Sequence, residues 1–219
     1  MSATITIGKE IISQYTFHIN QVNKNDKKGF LCNDCNQKLI PVKTEARKKD
    51  WHFRHPSGSD ISKCRSTALH DYAVQLLMNN SSIMLSKSFQ INYSNTRKEV
   101  YVNEKYRSDV TANYFDEEIH FEVYVTHDLD DEKRNYYKTS RTKCVRIDFL
   151  DPNLLSAQPQ EIENKLLKDH YNKEIIYWED TLSVEKHEEK WKFKIEHLIL
   201  AVIAFFGVKY LWKFFRRKY

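Results

Sequence analysis

Apolar and polar positions alternate over two early stretches of the chain, residues 4–7 and 15–22, where Tyr15, Phe17 and Ile19 fall on one face. A period of two sends successive side chains to opposite faces, so both stretches predict strands. Phe30-Leu31-Cys32, Leu39-Ile40-Pro41-Val42 and Trp51-His52-Phe53 predict further short strands, which together read as two hairpins. Over residues 66–78 the spacing changes. Leu69, Ala73, Val74, Leu76 and Leu77 recur at helical intervals, and Asn79-Asn80-Ser81 predicts the stop. Strand patterns then cover 83–91, 99–103, 108–114, 119–126 and 144–149, with a polar, helix-compatible stretch at 130–140 between the last two. Strand, helix, strand in that order predicts an α/β crossover. Residues 152–159 read as a loop, 161–171 as a helix and 175–178 as a late strand, before a charged helical stretch at 180–194.

This pattern predicts an α/β (α+β) chain: a mixed sheet flanked by helices, preceded by a small module. Its 219 residues leave room for one ordinary domain and an accessory unit. The expected division is 1–65 for N-terminal strands and module, 66–180 for the main domain, and 181–219 for the charged and hydrophobic helices. Four glycines and four prolines argue against long flexible linkers. Lys and Arg number 35 against 30 Asp and Glu, a mild excess that permits a polyanionic partner without demanding one.

Three of the four cysteines carry the clearest chemical signal. Cys32-Asn33-Asp34-Cys35 is followed by His52-Phe53-Arg54-His55 and then Cys64, the spacing of a zinc site rather than of a secreted disulfide framework. A two-residue gap lets a tight turn present both thiolates to one ion. The expected ligands are Cys32, Cys35, His55 and Cys64, closing the tetrahedron as a structural, zinc-ribbon-like site. His52 is left out because strand alternation turns it away from His55. A redox Cys-x2-Cys beside surface histidines is the plain alternative. A module this small would draw much of its folding free energy from the metal. Residues 1–10 lack the apolar run of a signal peptide, so a reducing cytoplasmic compartment is expected.

Arg107-Ser108-Asp109-Val110 and Phe121-Glu122-Val123-Tyr124-Val125 form a second candidate site. Were these segments neighbouring strands, Asp109 and Glu122 would converge on a divalent cation, since magnesium takes oxygen ligands and activates water for attack on a phosphodiester. Two solvated acidic residues are the ordinary alternative.

The order of these motifs resembles the competence protein CoiA-like family, a branch of the PD-(D/E)xK nuclease superfamily with an N-terminal zinc-binding region. The resemblance is carried by the Cys-x2-Cys pair, His52-Phe53-Arg54-His55, Cys64, the helix bearing His70, Asp109, Glu122-Val123-Tyr124-Val125-Thr126-His127, Asp131-Glu132-Lys133 and Arg146-Ile147-Asp148. It covers about residues 5–180 and implies a metal-dependent nuclease acting on DNA. Asp109 and Glu122 then hold magnesium or manganese. The position two after the glutamate is normally lysine, often glutamine in the competence branch, and here it is Tyr124. A tyrosine supplies no cation, so Lys133 or Lys143 from a neighbouring helix or strand, or Arg107 beside Asp109, must do so if the site is catalytic. His70 is expected to face the site or to lie on the helix surface. His127 and Asp148 read more simply as local capping and turn residues.

Lys43, Arg47, Lys48, Lys49 and Arg54, interleaved with Trp51 and Phe53, form a basic hairpin edge that could track a phosphate backbone, or simply be a solvated tip. Residues 195–215 are the most apolar stretch and would make a helix roughly 31 Å long, near the hydrocarbon thickness of a bilayer. Arg216-Arg217-Lys218 weighs against spanning if the main domain is cytoplasmic. A tail anchor at the inner membrane face, a helix lying in the interface and an oligomerisation helix remain open. A catalytically inactive, zinc-containing DNA-binding or scaffold protein tethered by that helix is the competing functional class.

Overall fold

The computed structural model describes residues 5–23, 28–43, 51–55, 61–126 and 129–179. His127 and the segments expected at 180–194 and 195–215 lie outside them, as do Arg47, Lys48 and Lys49 of the basic edge. The chain divides after Tyr177, and the boundary expected at residue 65 falls inside a continuous helix of the first unit.

The N-terminal strands β1 (Ile7–Glu10), β2 (Thr16–His18), β3 (Phe30–Leu31), β4 (Lys38–Val42) and β5 (His52–Arg54) pair antiparallel in the order β2-β1-β3-β4-β5. They do not stay as separate hairpins. The Phe53 amide donates to the Ile5 carbonyl at 2.7 Å, and this bridge ties the last strand back to the residues before β1. The curled sheet encloses Ile5, Ile19, Val22, Phe30, Leu39 and Phe53 together with Cys32 and Cys64. Gly8 lies against this core: a Cβ there would meet Leu39 at 3.1 Å and Phe53 at 3.2 Å. The strand expected over 15–22 stops at His18, where a 3-10 turn (Ile19–Gln21) begins with His18 as its cap.

Helix α1 (Ile61–Asn79) starts five residues before the expected 66 and serves both sheets. Cys64 and Ala68 extend the buried stripe of Leu69, Tyr72, Ala73, Val74 and Leu77. Gln75 grips the edge of β2, accepting from the Thr16 amide at 2.6 Å and donating to its carbonyl at 2.9 Å. These bonds satisfy edge-strand groups that would otherwise be left to solvent.

The strand expected at 83–91 is two strands, β6 (Ser82–Ser86) and β7 (Phe89–Asn92), folded back on each other at Lys87-Ser88. The main sheet follows: β8 (Ser94–Tyr101), β9 (Arg107–Tyr114), β10 (Glu117–Tyr124), β11 (Lys143–Asp148) and β12 (Lys173–Tyr177), in spatial order β12-β11-β10-β9-β8. Only β10 and β11 run parallel, and α2 (Asp131–Thr139) joins them as the expected crossover. Asp130 caps α2 by accepting from the Glu132 amide at 3.0 Å. The expected 152–159 loop contains a 3-10 turn (Pro152–Ser156), and α3 (Pro159–Leu167) is shorter than the expected 161–171 at its C-terminal end.

Candidate functional site

The Cys-x2-Cys turn follows β3. The Cys32 amide donates to the Gln37 carbonyl at 2.8 Å and the Asn36 amide to the Cys32 carbonyl at 3.0 Å, while Asn36 takes a left-handed φ of 57°. Asparagine tolerates that conformation, which closes the turn and points both sulfurs to one side. His55 leaves β5 and Cys64 stands on the first turns of α1. The ligand atoms of Cys32, Cys35, His55 and Cys64 all lie within 4.8 Å of one another. Nε2 of His55 is 3.0 Å from Cys35 Sγ and 3.8 Å from Cys64 Sγ. Tetrahedral zinc with thiolates at ~2.3 Å has donors about 3.8 Å apart, so this Cys3His set can hold a zinc ion. His52 is not a member.

The thiols respond to one another in opposite senses. Burial raises Cys64 to about 12, with Cys32 and Cys35 adding to the rise. At Cys35 burial also raises the thiol, but hydrogen bonds from the Gln37 backbone, Cys32 and His55 outweigh it and bring the value to about 7. Cys144, the fourth cysteine, is buried in the main sheet, where burial raises it well above the ordinary thiol.

Asp109 on β9 and Glu122 on β10 stand one step beyond the last registered pair, Val110 and Phe121. Their neighbours are specific. Asp109 Oδ2 accepts from the Val123 amide at 2.8 Å and lies 3.2 Å from His70 Nε2. Glu122 is 1% exposed and receives Lys133 Nζ at 2.7 Å and the Tyr137 hydroxyl at 2.5 Å. Lys133 and Tyr137 are four apart on α2, so one helix face serves one carboxylate.

Burial and the Asp109 charge push the Glu122 carboxyl up to about 7, against the pull of Lys133 and Tyr137. Burial would raise Asp109 as well, yet the His70 hydrogen bond and charge, the Val123 amide and Lys133 hold it below its usual value. At His70, burial favours the neutral ring, but Asp109 and Asp71 outweigh it and raise the imidazole to about 9. Two carboxylates with values driven apart are an arrangement found where one group must stay ionised and the other can carry a proton.

The other expected residues are placed differently. Lys143 is buried but pairs with Glu117 at the far end of β10, three registered positions from Glu122's partner Arg146. The Arg107 guanidinium turns to Glu99 at 3.2 Å, and only the Arg107 carbonyl joins the site by accepting from Lys133 at 2.8 Å. Asp148 accepts from the Leu150 amide at 2.8 Å as a turn residue. Tyr124 shares the strand face of Glu122 and has the Arg146 guanidinium 5.1 Å from its ring centre. On the basic edge, Lys43 sits 3.9 Å from the Trp51 ring centre and donates to the Val22 carbonyl. Tyr137, Asp71 and Asn33 join the constellation without having been singled out. Tyr137 carried a readable signal, its four-residue spacing from Lys133.

No protein-family model, curated protein or solved structure matches this chain. Among the described residues no helix is long and apolar enough to cross a membrane.

Proposed function

We propose that the chain is a metal-dependent nuclease of the PD-(D/E)xK type acting on DNA, with a structural zinc held by Cys32, Cys35, His55 and Cys64. The observation that carries this reading is the convergence of Asp109, Glu122 and Lys133 at one end of a β9–β10 pair followed by a crossover helix. It agrees with the motif order that resembles the CoiA-like family. Lys133 supplies from α2 the cation that Tyr124 does not, and Arg107 and Lys143 are engaged elsewhere.

Two carboxylates are hard oxygen donors of the kind that suits magnesium or manganese. Such a cation would lower the pKa of a bound water and offset phosphate charge. Asp109 would bind through the oxygen left free by Val123 and His70. Glu122, once its proton is displaced, would offer the second oxygen. Lys133 would hold Glu122 in place and face the phosphate charge. The Cys3His cluster, with all four ligands from protein, leaves no open position and serves folding and presentation.

A second reading keeps the fold and drops the chemistry: a zinc-containing DNA-binding or scaffold protein. It is favoured by one observation, that His70 and Lys133 already neutralise both carboxylates. Incubating the protein with linear, circular and single-stranded DNA in magnesium or manganese separates the two. Metal-dependent cleavage supports the nuclease; retention of DNA without cleavage supports the scaffold.

A further inference from the structure

One side chain of the zinc knuckle reaches out of its own module. Asn33 lies between the two cysteines of the turn. Its Nδ2 donates to Asp71 Oδ2 on α1 at 2.9 Å and to Thr16 Oγ1 at 3.3 Å. The other Asp71 oxygen faces His70 Nδ1 at 3.7 Å and Lys98 Nζ of β8 at 3.5 Å. His70 Nε2 in turn meets Asp109 at 3.2 Å. The two ring nitrogens therefore face two carboxylates, one bonded from the zinc side and one belonging to the candidate metal pair.

The Asn33 carbonyl gains nothing from this arrangement. Its Oδ1 is buried and has no hydrogen-bond partner among the described residues, a desolvation cost with no local return. An apolar residue of similar size would avoid that cost, so the Nδ2 bond to Asp71 is the evident reason for an amide at this position.

We propose that Asn33 and Asp71 are positioning residues that transmit the geometry of the zinc knuckle to His70 and, through it, to the Asp109 carboxylate. This rests on the proposed role of Asp109 and Glu122 as a divalent-cation pair. The knuckle is then more than a folding clamp: it fixes one end of a side-chain path running Asn33, Asp71, His70, Asp109. Groups that orient metal ligands typically change metal affinity by about 10–100-fold when removed. Lys98 holds Asp71 from the β8 side, so the path is anchored on both sheets.

The test uses the full chain with Asn33→Leu and, separately, Asp71→Asn. Three readouts are taken: zinc per chain, the ring ¹⁵N signals of His70 assigned with His70→Gln, and Mn²⁺ affinity by calorimetry. The expected result is zinc retained, His70 ring signals shifted in both variants, and Mn²⁺ bound about tenfold more weakly. Unchanged His70 signals and unchanged Mn²⁺ affinity in the zinc-loaded variants would overturn the proposal. If Asn33→Leu loses zinc, Asp71→Asn decides alone, because Asp71 stands about two helical turns beyond Cys64 on α1 and is not a ligand. If the wild type binds no Mn²⁺, the cation-pair reading fails, and the His70 signals still decide whether the path exists.

Discussion

Lys133 Nζ lies 2.7 Å from each carboxylate oxygen of Glu122, and the pair is almost out of solvent, with side chains 15% and 2% exposed. A buried pair of this kind is costly to break one-sidedly, because the remaining charge has no partner. Lys133→Met is therefore expected to lower stability by about 3 kcal/mol and to abolish metal-dependent cleavage. Adding Glu122→Gln should recover most of the stability and none of the cleavage. Urea melts of the two single variants and the double variant measure the coupling.

Tyr124 occupies the strand face of Glu122, two residues on, where the superfamily that the motif order resembles normally carries lysine, often glutamine in the competence branch. If the cation is what matters and not its origin, Lys133→Met with Tyr124→Lys should regain at least tenfold of the cleavage lost in Lys133→Met. Initial rates on one duplex at saturating manganese read this directly. No recovery would mean that Lys133 contributes by its place on α2 beside Tyr137, not by charge alone.

The Cys3His cluster makes a separate prediction. Purified protein should carry one zinc per chain. Cys32→Ser should release it and lower the melting temperature by on the order of 10 °C, because Cys32 and Cys64 are part of the small sheet's core. Elemental analysis and thermal melts check both. Chelator should have the same effect on the wild type and little on the variant.

His18 gives the fold an acid sensitivity. It is 1% exposed, and burial, outweighing the Ala157 backbone hydrogen bond and helped by the Lys43 charge, lowers its value from 6.5 to about 4. The folded state thus prefers the neutral ring. The contribution is complete above pH 6.5 and is lost as pH falls from 6.5 through 4, amounting to on the order of 3 kcal/mol. Because the raised Glu122 carboxyl contributes with the opposite sign over this range, the check is the difference in urea stability between wild type and His18→Gln, which should shrink by that amount from pH 7.5 to 4.

Short-range signals carried much of this structure. The spacing of the cysteines and of His52 and His55 pointed to the residues that converge, and strand alternation favoured His55 over His52. The α2 crossover followed from period and order, whereas the pairing of β9 with β10 was only a condition of the candidate site. What local pattern could not carry was closure and choice. The Ile5–Phe53 bridge joins residues far apart in sequence, so nothing near either one announces that the small sheet curls. The turn at Lys87-Ser88 lacks glycine, proline and asparagine, which hid the β6–β7 hairpin. Among Lys133, Lys143 and Arg107, the one that reaches Glu122 is decided by the rotation of α2, set by burial of Tyr137. Asn33 and Asp71 meet only because α1 packs on both sheets.

The central claim is that Asp109 and Glu122 hold a catalytic cation. The most direct measurement is the rate of manganese-dependent cleavage of a linear duplex by wild type and by Glu122→Ala at matched zinc content. The account predicts cleavage by the wild type, none without added metal, and a loss of at least 100-fold in the variant. Equal rates in the two proteins, or no cleavage by the wild type in either magnesium or manganese, would contradict it.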